Sequence, residues 1–199
     1  MSENKNSPQS NNQEHTNLPT DSLWGNIFGK KEKVIRSIEN VLKEVPIFST
    51  LQKRELRNVA LIVHERKYTQ GEYIFYQDDP GLGMYIIKEG EVSIKLEVPE
   101  KELVRLKEGA FFGELALLDE SPRSASAVAA TSADLIGFFR PDLFKLIEKN
   151  PSAGLKIVLK LAQIIGERLR NTNQNFSKAQ AELGKLRAQL EALQPPSVK

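Results

Sequence analysis

Glu114 and Arg123 stand close together in a stretch of glycine, small and apolar residues, Gly109 to Val128, which reads GAFFGELALLDESPRSASAV. Gly113 opens a run, Glu114 to Leu118, that can make one helical turn. Pro122 stops that turn, and Arg123, Ser124, Ala125 and Ser126 resume an extended chain. The first N–H groups of a helical turn have no intrahelical partner and favour an anion beyond the turn's start. A guanidinium just past the turn adds a planar fork of donors suited to a phosphate. A carboxylate at the mouth of such a site has a use only if the ligand also offers a donor, such as a sugar hydroxyl. The chemistry implied is one phosphate and one ribose hydroxyl held side by side.

The composite F-G-E-L-A-L-L, followed by P-R-S-A, resembles the phosphate-binding cassette of the cyclic-nucleotide-binding domain family. That family includes the sensor domains of catabolite activator proteins, of cAMP-dependent protein kinase regulatory subunits and of cyclic-nucleotide-gated channels. The resemblance runs from about Val45 to about Asn173. It implies cAMP or cGMP as ligand, with cAMP favoured, and no metal. It also implies residue roles. Arg123 pairs with the cyclic phosphate and Glu114 accepts the ribose 2′-hydroxyl. Gly113 lets the backbone approach the sugar. Backbone N–H groups of Ala116 and Ser124 complete the phosphate cradle, and Leu115 and Ala125 complete the set. The Ser124 hydroxyl could touch phosphate or a purine edge. A hydroxyl residue directly after the arginine occurs in members selective for either nucleotide, so it does not settle the base. Ser126 reads either as a member of the binding set or as a plain strand residue facing solvent or the pocket. In the resembled activators a Thr-Ser pair follows an Arg-Leu pair and meets the purine from both subunits. Here Thr172 and Asn173 follow Arg168-Leu169 at the same offset, on a helix about one turn longer before that point. Thr172 reads equally as a polar residue that sets coiled-coil register.

The elements that must position these residues follow from periodicity. Glu32 to Glu44 carries Val34, Ile35, Ile38, Val41 and Leu42 at helical spacing, and Pro46 ends it. Ser49 reads as the N-cap of a second helix, Leu51 to Ile62. From about Val63 the period becomes two. Glu72 to Tyr76, Met84 to Ile87, Val92 to Leu96 and Val104 to Leu106 read as strands, and Ala125 to Thr131 and Asp134 to Phe139 follow the cassette. Short strands with turns at this density predict a mainly β fold, an antiparallel two-sheet roll with flanking helices. The resemblance names it as a jelly-roll barrel with the cassette between two strands.

Asp142 to Glu148 reads as a short helix. A long one follows, from about Ala153 to Leu193. Leu155, Val158, Ala162, Ile165, Leu169, Thr172, Phe176, Ala179, Leu183, Leu186, Leu190 and Leu193 fall at alternating steps of three and four, a sustained heptad seam. About forty residues make a rod of roughly 60 Å. A helix folded back on its own barrel explains Leu155 to Leu169 but not Phe176 to Leu193. The seam predicts a parallel homodimer, with Glu182 and Arg187 placed to pair across it. The expected division is a polar tail with a short aromatic segment over 1–31, a sensor domain over 32–150, a dimerising helix over 151–194 and a tail over 195–199. The segment Ser22 to Gly29, which holds Trp24, reads either as tucked against the domain or as a docking peptide.

Composition narrows the function classes. Net charge is +2, apolar residues are 40% and charged residues 27% of 199, and there is no cysteine. These numbers give no case for a nucleic-acid or membrane partner and exclude thiolate chemistry. The basic residues of the long helix, among them Lys156, Arg168 and Lys185, read as a solvated face. With only His15 and His64, a metal-dependent jelly-roll enzyme fails on ligand count. No address is evident, which sets a cytoplasmic expectation. No helix-turn-helix follows the long helix, so sequence-specific DNA binding is not expected and output would pass to an effector protein. The expectation is a non-enzymatic cyclic-nucleotide sensor. In it the ligand draws the cassette and the hinge, Phe138 to Pro151, toward the barrel and resets the coiled coil. The alternative is an interaction or scaffold protein with a degenerate, ligand-free pocket.

Overall fold

The computed structural model describes residues 20–193. The chain divides into two compact units, residues 1–34 and 35–199. One helix, α1 (Thr20–Glu44), begins in the first unit and ends in the second. Helix thus begins twelve residues before the expected start at Glu32 and includes the Trp24 segment. The expected polar tail up to Pro19 and the tail after Leu193 lie outside the described residues, as do the side chains of the Trp24 segment.

In the second unit, Ile35, Ile38 and Leu42 of α1 fall on one face and are buried. The chain then turns through a short 3-10 segment, Pro46–Phe48, whose proline occupies the first position, where no N–H is needed. Helix α2 (Lys53–Ala60) starts later than expected. The Ser49 hydroxyl is spent on the Pro46 carbonyl, 2.8 Å away. Gln52 is the N-cap, in a reciprocal box with Glu55.

Eight strands follow: β1 (His64–Tyr68), β2 (Tyr73–Phe75), β3 (Gly83–Glu89), β4 (Glu91–Glu97), β5 (Glu100–Lys107), β6 (Phe111–Phe112), β7 (Ser126–Ala129) and β8 (Ala133–Phe139). They form two four-stranded antiparallel sheets, ordered β1-β8-β3-β6 and β2-β7-β4-β5, as the two-sheet roll requires. The strand β1 was not among the expected strands. It is an edge strand with four of its five residues exposed, so its sequence shows no apolar alternation.

Strand alternation separates two cores. Met84 and Ile86 of β3, with Ile136 and Phe138 of β8, face the helices and pack with Phe48, Leu143 and Ile157. Ile87 and Leu135, on the opposite face of the same strands, fill the barrel with Val92, Phe112 and Ala127. Burying each large aliphatic side chain is worth roughly 1.5–3 kcal/mol before entropy. This double-faced sheet also carries β6, the strand that leads into the cassette.

Helix α3 (Arg140–Lys149) leads into α4 (Pro151–Leu193), 43 residues long. Ala153, Ile157 and Leu161 of α4 are buried. Every residue from Glu167 to Leu190 is exposed, including Leu169, Phe176, Leu183 and Leu190. Among the described residues, no helix is long and apolar enough to cross a membrane.

Candidate functional site

A cavity of about 300 Å³ opens between the second sheet and the cassette. Its apolar wall is Phe75, Ile94, Val104 and Leu106, from β2, β4 and β5. Its polar side is the cassette, Phe111 to Ala116 and Ser121 to Ala125, together with Asp119 and Arg168. Of the expected site residues, Gly113, Glu114, Leu115, Ala116, Arg123, Ser124 and Ala125 meet at this cavity.

Gly113 adopts φ 73°, in the left-handed region, and caps a 3-10 turn, Glu114–Leu117. A Cβ on Gly113 would lie 2.7 Å from an Arg123 guanidinium nitrogen. Conformation and space both require glycine here. The Ala116 N–H is not free, since it donates to the Gly113 carbonyl at 3.3 Å.

Arg123 is 7% exposed. Among the described residues it has no ion-pair partner. Nη1 donates to the Gly113 carbonyl at 3.2 Å, while Nε has no hydrogen-bond partner at all. The guanidinium carbon stands 4.1 Å above the Phe75 ring. Burial pushes the guanidinium below its usual value, partly opposed by the charges of Tyr85, Asp79 and Glu114. It remains charged under any physiological condition. A buried cation without a counter-charge is costly unless an anion completes it, and the orphaned Nε adds a donor with nothing to serve.

Glu114, 5% exposed, is held differently. Its Oε1 accepts a 2.5 Å hydrogen bond from Nη1 of Arg168, on α4. The Arg168 guanidinium also lies 4.9 Å above the Phe111 ring. The consecutive residues Phe111 and Phe112 thus divide the work by strand parity. Phe111 backs Arg168 on the helix side, and Phe112 packs behind Phe75, 5.9 Å ring to ring, in the barrel.

Ser126, Thr172 and Asn173 are expected site residues that do not line the cavity. Ser126 is fully buried at the start of β7, and its hydroxyl accepts the Gln77 N–H at 2.7 Å. It faces neither solvent nor the pocket. Thr172 and Asn173 are exposed, about one helical turn beyond Arg168. The Thr172 hydroxyl bonds back to the Arg168 carbonyl at 2.9 Å. The sequence alone places Arg168 as a marker for that pair and on a solvated basic face, not at the site, and gives Phe75 no role. The signal for Arg168 was the buried carboxylate of Glu114, which demands a cation from somewhere. Among the described residues, no cluster of three or more histidine and carboxylate side chains could hold a metal.

Comparison with known proteins gives the same region a family. Residues 65–150 match the family model of the cyclic nucleotide-binding domain. The chain is 36% identical over 135 residues to the cyclic AMP receptor protein of Thermus thermophilus, an alignment covering 66% of this chain and 61% of that protein. It is 37% identical over 112 residues to the cAMP-dependent protein kinase regulatory subunit of Emericella nidulans, covering 56% and 27%. Among solved structures, the catabolite activator protein of Thermus thermophilus superposes with a TM-score of 0.61 at 34% identity, covering 68% of this chain and 63% of that one. The regulatory domain of Toxoplasma gondii PKA with cAMP superposes with a TM-score of 0.57 at 26% identity, covering 66% and 51%. The chain thus spans less than two thirds of each of these proteins.

Proposed function

From the premise that residues 65–150 belong to the cyclic nucleotide-binding domain family, we propose that this chain is a non-catalytic sensor of a cyclic nucleotide, with cAMP favoured over cGMP. The observation that carries the proposal is the buried, unpaired Arg123 guanidinium facing a cavity of nucleotide scale. Arg123 takes the cyclic phosphate by charge-assisted hydrogen bonds. Glu114 accepts the ribose 2′-hydroxyl with an oxygen that Arg168 already orients. Gly113, Leu115, Ala116, Ser124 and Ala125 shape the phosphate and sugar end, and Ile94, Val104 and Leu106 offer an apolar face to the base. The named relatives support cAMP through what their own names say: a cyclic AMP receptor, and kinase subunits that depend on cAMP.

Residues 32–150 are then the sensor and 151–194 the output. The exposed seam of α4 supports a parallel homodimer, because an apolar stripe that its own domain leaves uncovered is satisfied by a second copy. Thr172 and Asn173 join the site only in that arrangement, where the second helix lies beside the first. The signal passes through α3 and α4 to an effector protein. A ligand biases such an equilibrium only by its differential affinity for the two states, typically about 1–3 kcal/mol.

Isothermal titration with cAMP and with cGMP tests this. Saturable heat with the parent and none with Arg123→Ala, at an unchanged far-ultraviolet spectrum, is the expected result. Absence of heat with either nucleotide would leave the ligand-free scaffold as the better reading.

A further inference from the structure

We propose that Phe75 is a positioning residue for the anion site: its ring face holds the Arg123 guanidinium where a carboxylate would otherwise do so, and so keeps the charge available to a ligand. This rests on the reading that the cavity takes a cyclic phosphate. Two carboxylates, Asp79 and Glu114, attract the Arg123 charge. Both are engaged elsewhere. Asp79 Oδ2 accepts the Tyr76 N–H at 2.8 Å, and Glu114 Oε1 is taken by Arg168. Among the described residues, the guanidinium's hydrogen-bond and ring partners are the Gly113 carbonyl and the Phe75 ring at 4.1 Å.

A ring face attracts a cation through its quadrupole without neutralising it. A carboxylate in the same place would cancel the field the phosphate needs and compete for the same donors. The ring is also well braced. Phe75 packs on Phe112 at 5.9 Å and on Tyr85 at 6.0 Å, and those two stack on each other at 5.7 Å. Its strand pairs with β7, placing Phe75 opposite Ala127, just beyond the cassette. The platform thus lies on the strand beside β7, whose first residue, Ser126, follows closely on Arg123 in the chain.

A fluorination series at Phe75 separates this role from simple packing. Replacing Phe75 by 4-fluoro-, 3,5-difluoro- and 3,4,5-trifluorophenylalanine nearly preserves shape while weakening the negative ring face. Binding of cAMP is expected to fall stepwise along the series at a nearly constant melting temperature. The total loss expected is roughly three- to thirty-fold, the span of a cation–ring contact. In an Arg123→Met background the series should produce no further loss in any residual binding. Flat affinity across the fluorinated proteins, with the parent binding cAMP, overturns the role of Phe75 and leaves the site reading intact. A parent that binds neither cAMP nor cGMP overturns the site reading, and this proposal with it.

Discussion

Glu114 and Arg168 lie 54 residues apart in the chain and share a hydrogen bond of 2.5 Å that ties the cassette to α4. The carboxylate is buried and the guanidinium half-exposed, with side-chain exposures of 7% and 49%. Arg168→Ala would leave Glu114 desolvated without a partner. The half-exposed partner discounts the cost, so urea unfolding should show a loss of about 1–2 kcal/mol. Glu114→Gln in the same background should recover part of it, because a neutral amide tolerates the site better. Equal stability of parent and Arg168→Ala would mean that the pair contributes nothing to the fold.

Gly154 of α4 and Gly184 farther along the same helix make a contrasting pair. A Cβ on Gly154 would come within 2.4 Å of Ile147 Cγ1 and 2.9 Å of its Cα, in α3. Backbone cannot yield as a side-chain tip can, so Gly154→Ala should separate α3 from α4 and destabilise by about 1–3 kcal/mol. Gly184 has nothing within 4 Å. There Gly184→Ala should stabilise the helix by up to about 1 kcal/mol. Thermal unfolding of the two variants should therefore move in opposite directions.

The cassette was legible because its meaning is local. Gly113, Glu114, Arg123 and Ser124 reach one cavity from a single short stretch of chain, and a short composite motif records all of that. The two-sheet roll was legible for a similar reason, since alternation in β3, β4 and β8 marks strands with distinct faces. What escaped the sequence is what crosses the fold. Nothing near Arg168 announces Glu114 as its partner, and nothing near Phe75 announces Arg123. The partner of Ser126 is likewise unreadable from its neighbours in the chain. The strand begins at Ser126 itself, and its hydroxyl is used by the Gln77 backbone. Thr172 and Asn173 stand about one helical turn beyond Arg168, which carries them past the cavity of their own chain.

The seam of α4 makes a prediction about assembly. Cutting the chain after Asn175 removes Phe176, Leu183, Leu186 and Leu190, which are all exposed. Sedimentation velocity should show the shortened protein shifted toward monomer relative to the parent. An unchanged dimer would place the interface on another surface.

Glu55 gives a pH dependence with a definite sign. Its carboxylate accepts hydrogen bonds from Lys156 Nζ at 2.8 Å through both oxygens, and from the Gln52 N–H at 2.7 Å. Lys156 first, then the Gln52 N–H, hold its carboxyl below the ordinary value of 4.5. A carboxyl depressed in the folded state contributes stability above its unfolded value and loses it as pH falls through the folded one. The link between α2 and α4 should therefore be intact near neutrality and weaken below about pH 4.5. Melting curves of the parent and Glu55→Gln should differ at pH 7 and converge on acidification. A constant difference down to pH 3 would assign the loss to packing.

The backbone of Arg123 is fastened on both sides, its N–H to the Asp79 carbonyl and its carbonyl to the Asp78 N–H, each at 2.9 Å. The turn carrying Glu114 has hydrogen bonds chiefly within itself, from Ala116 to Gly113 and from Leu118 and Asp119 to Leu115. The cavity therefore resembles a vice with one jaw bolted to the bench. If the sensor reading holds, closure would travel on the Glu114 side, and the bond to Arg168 would make the long helix the handle that this travel turns.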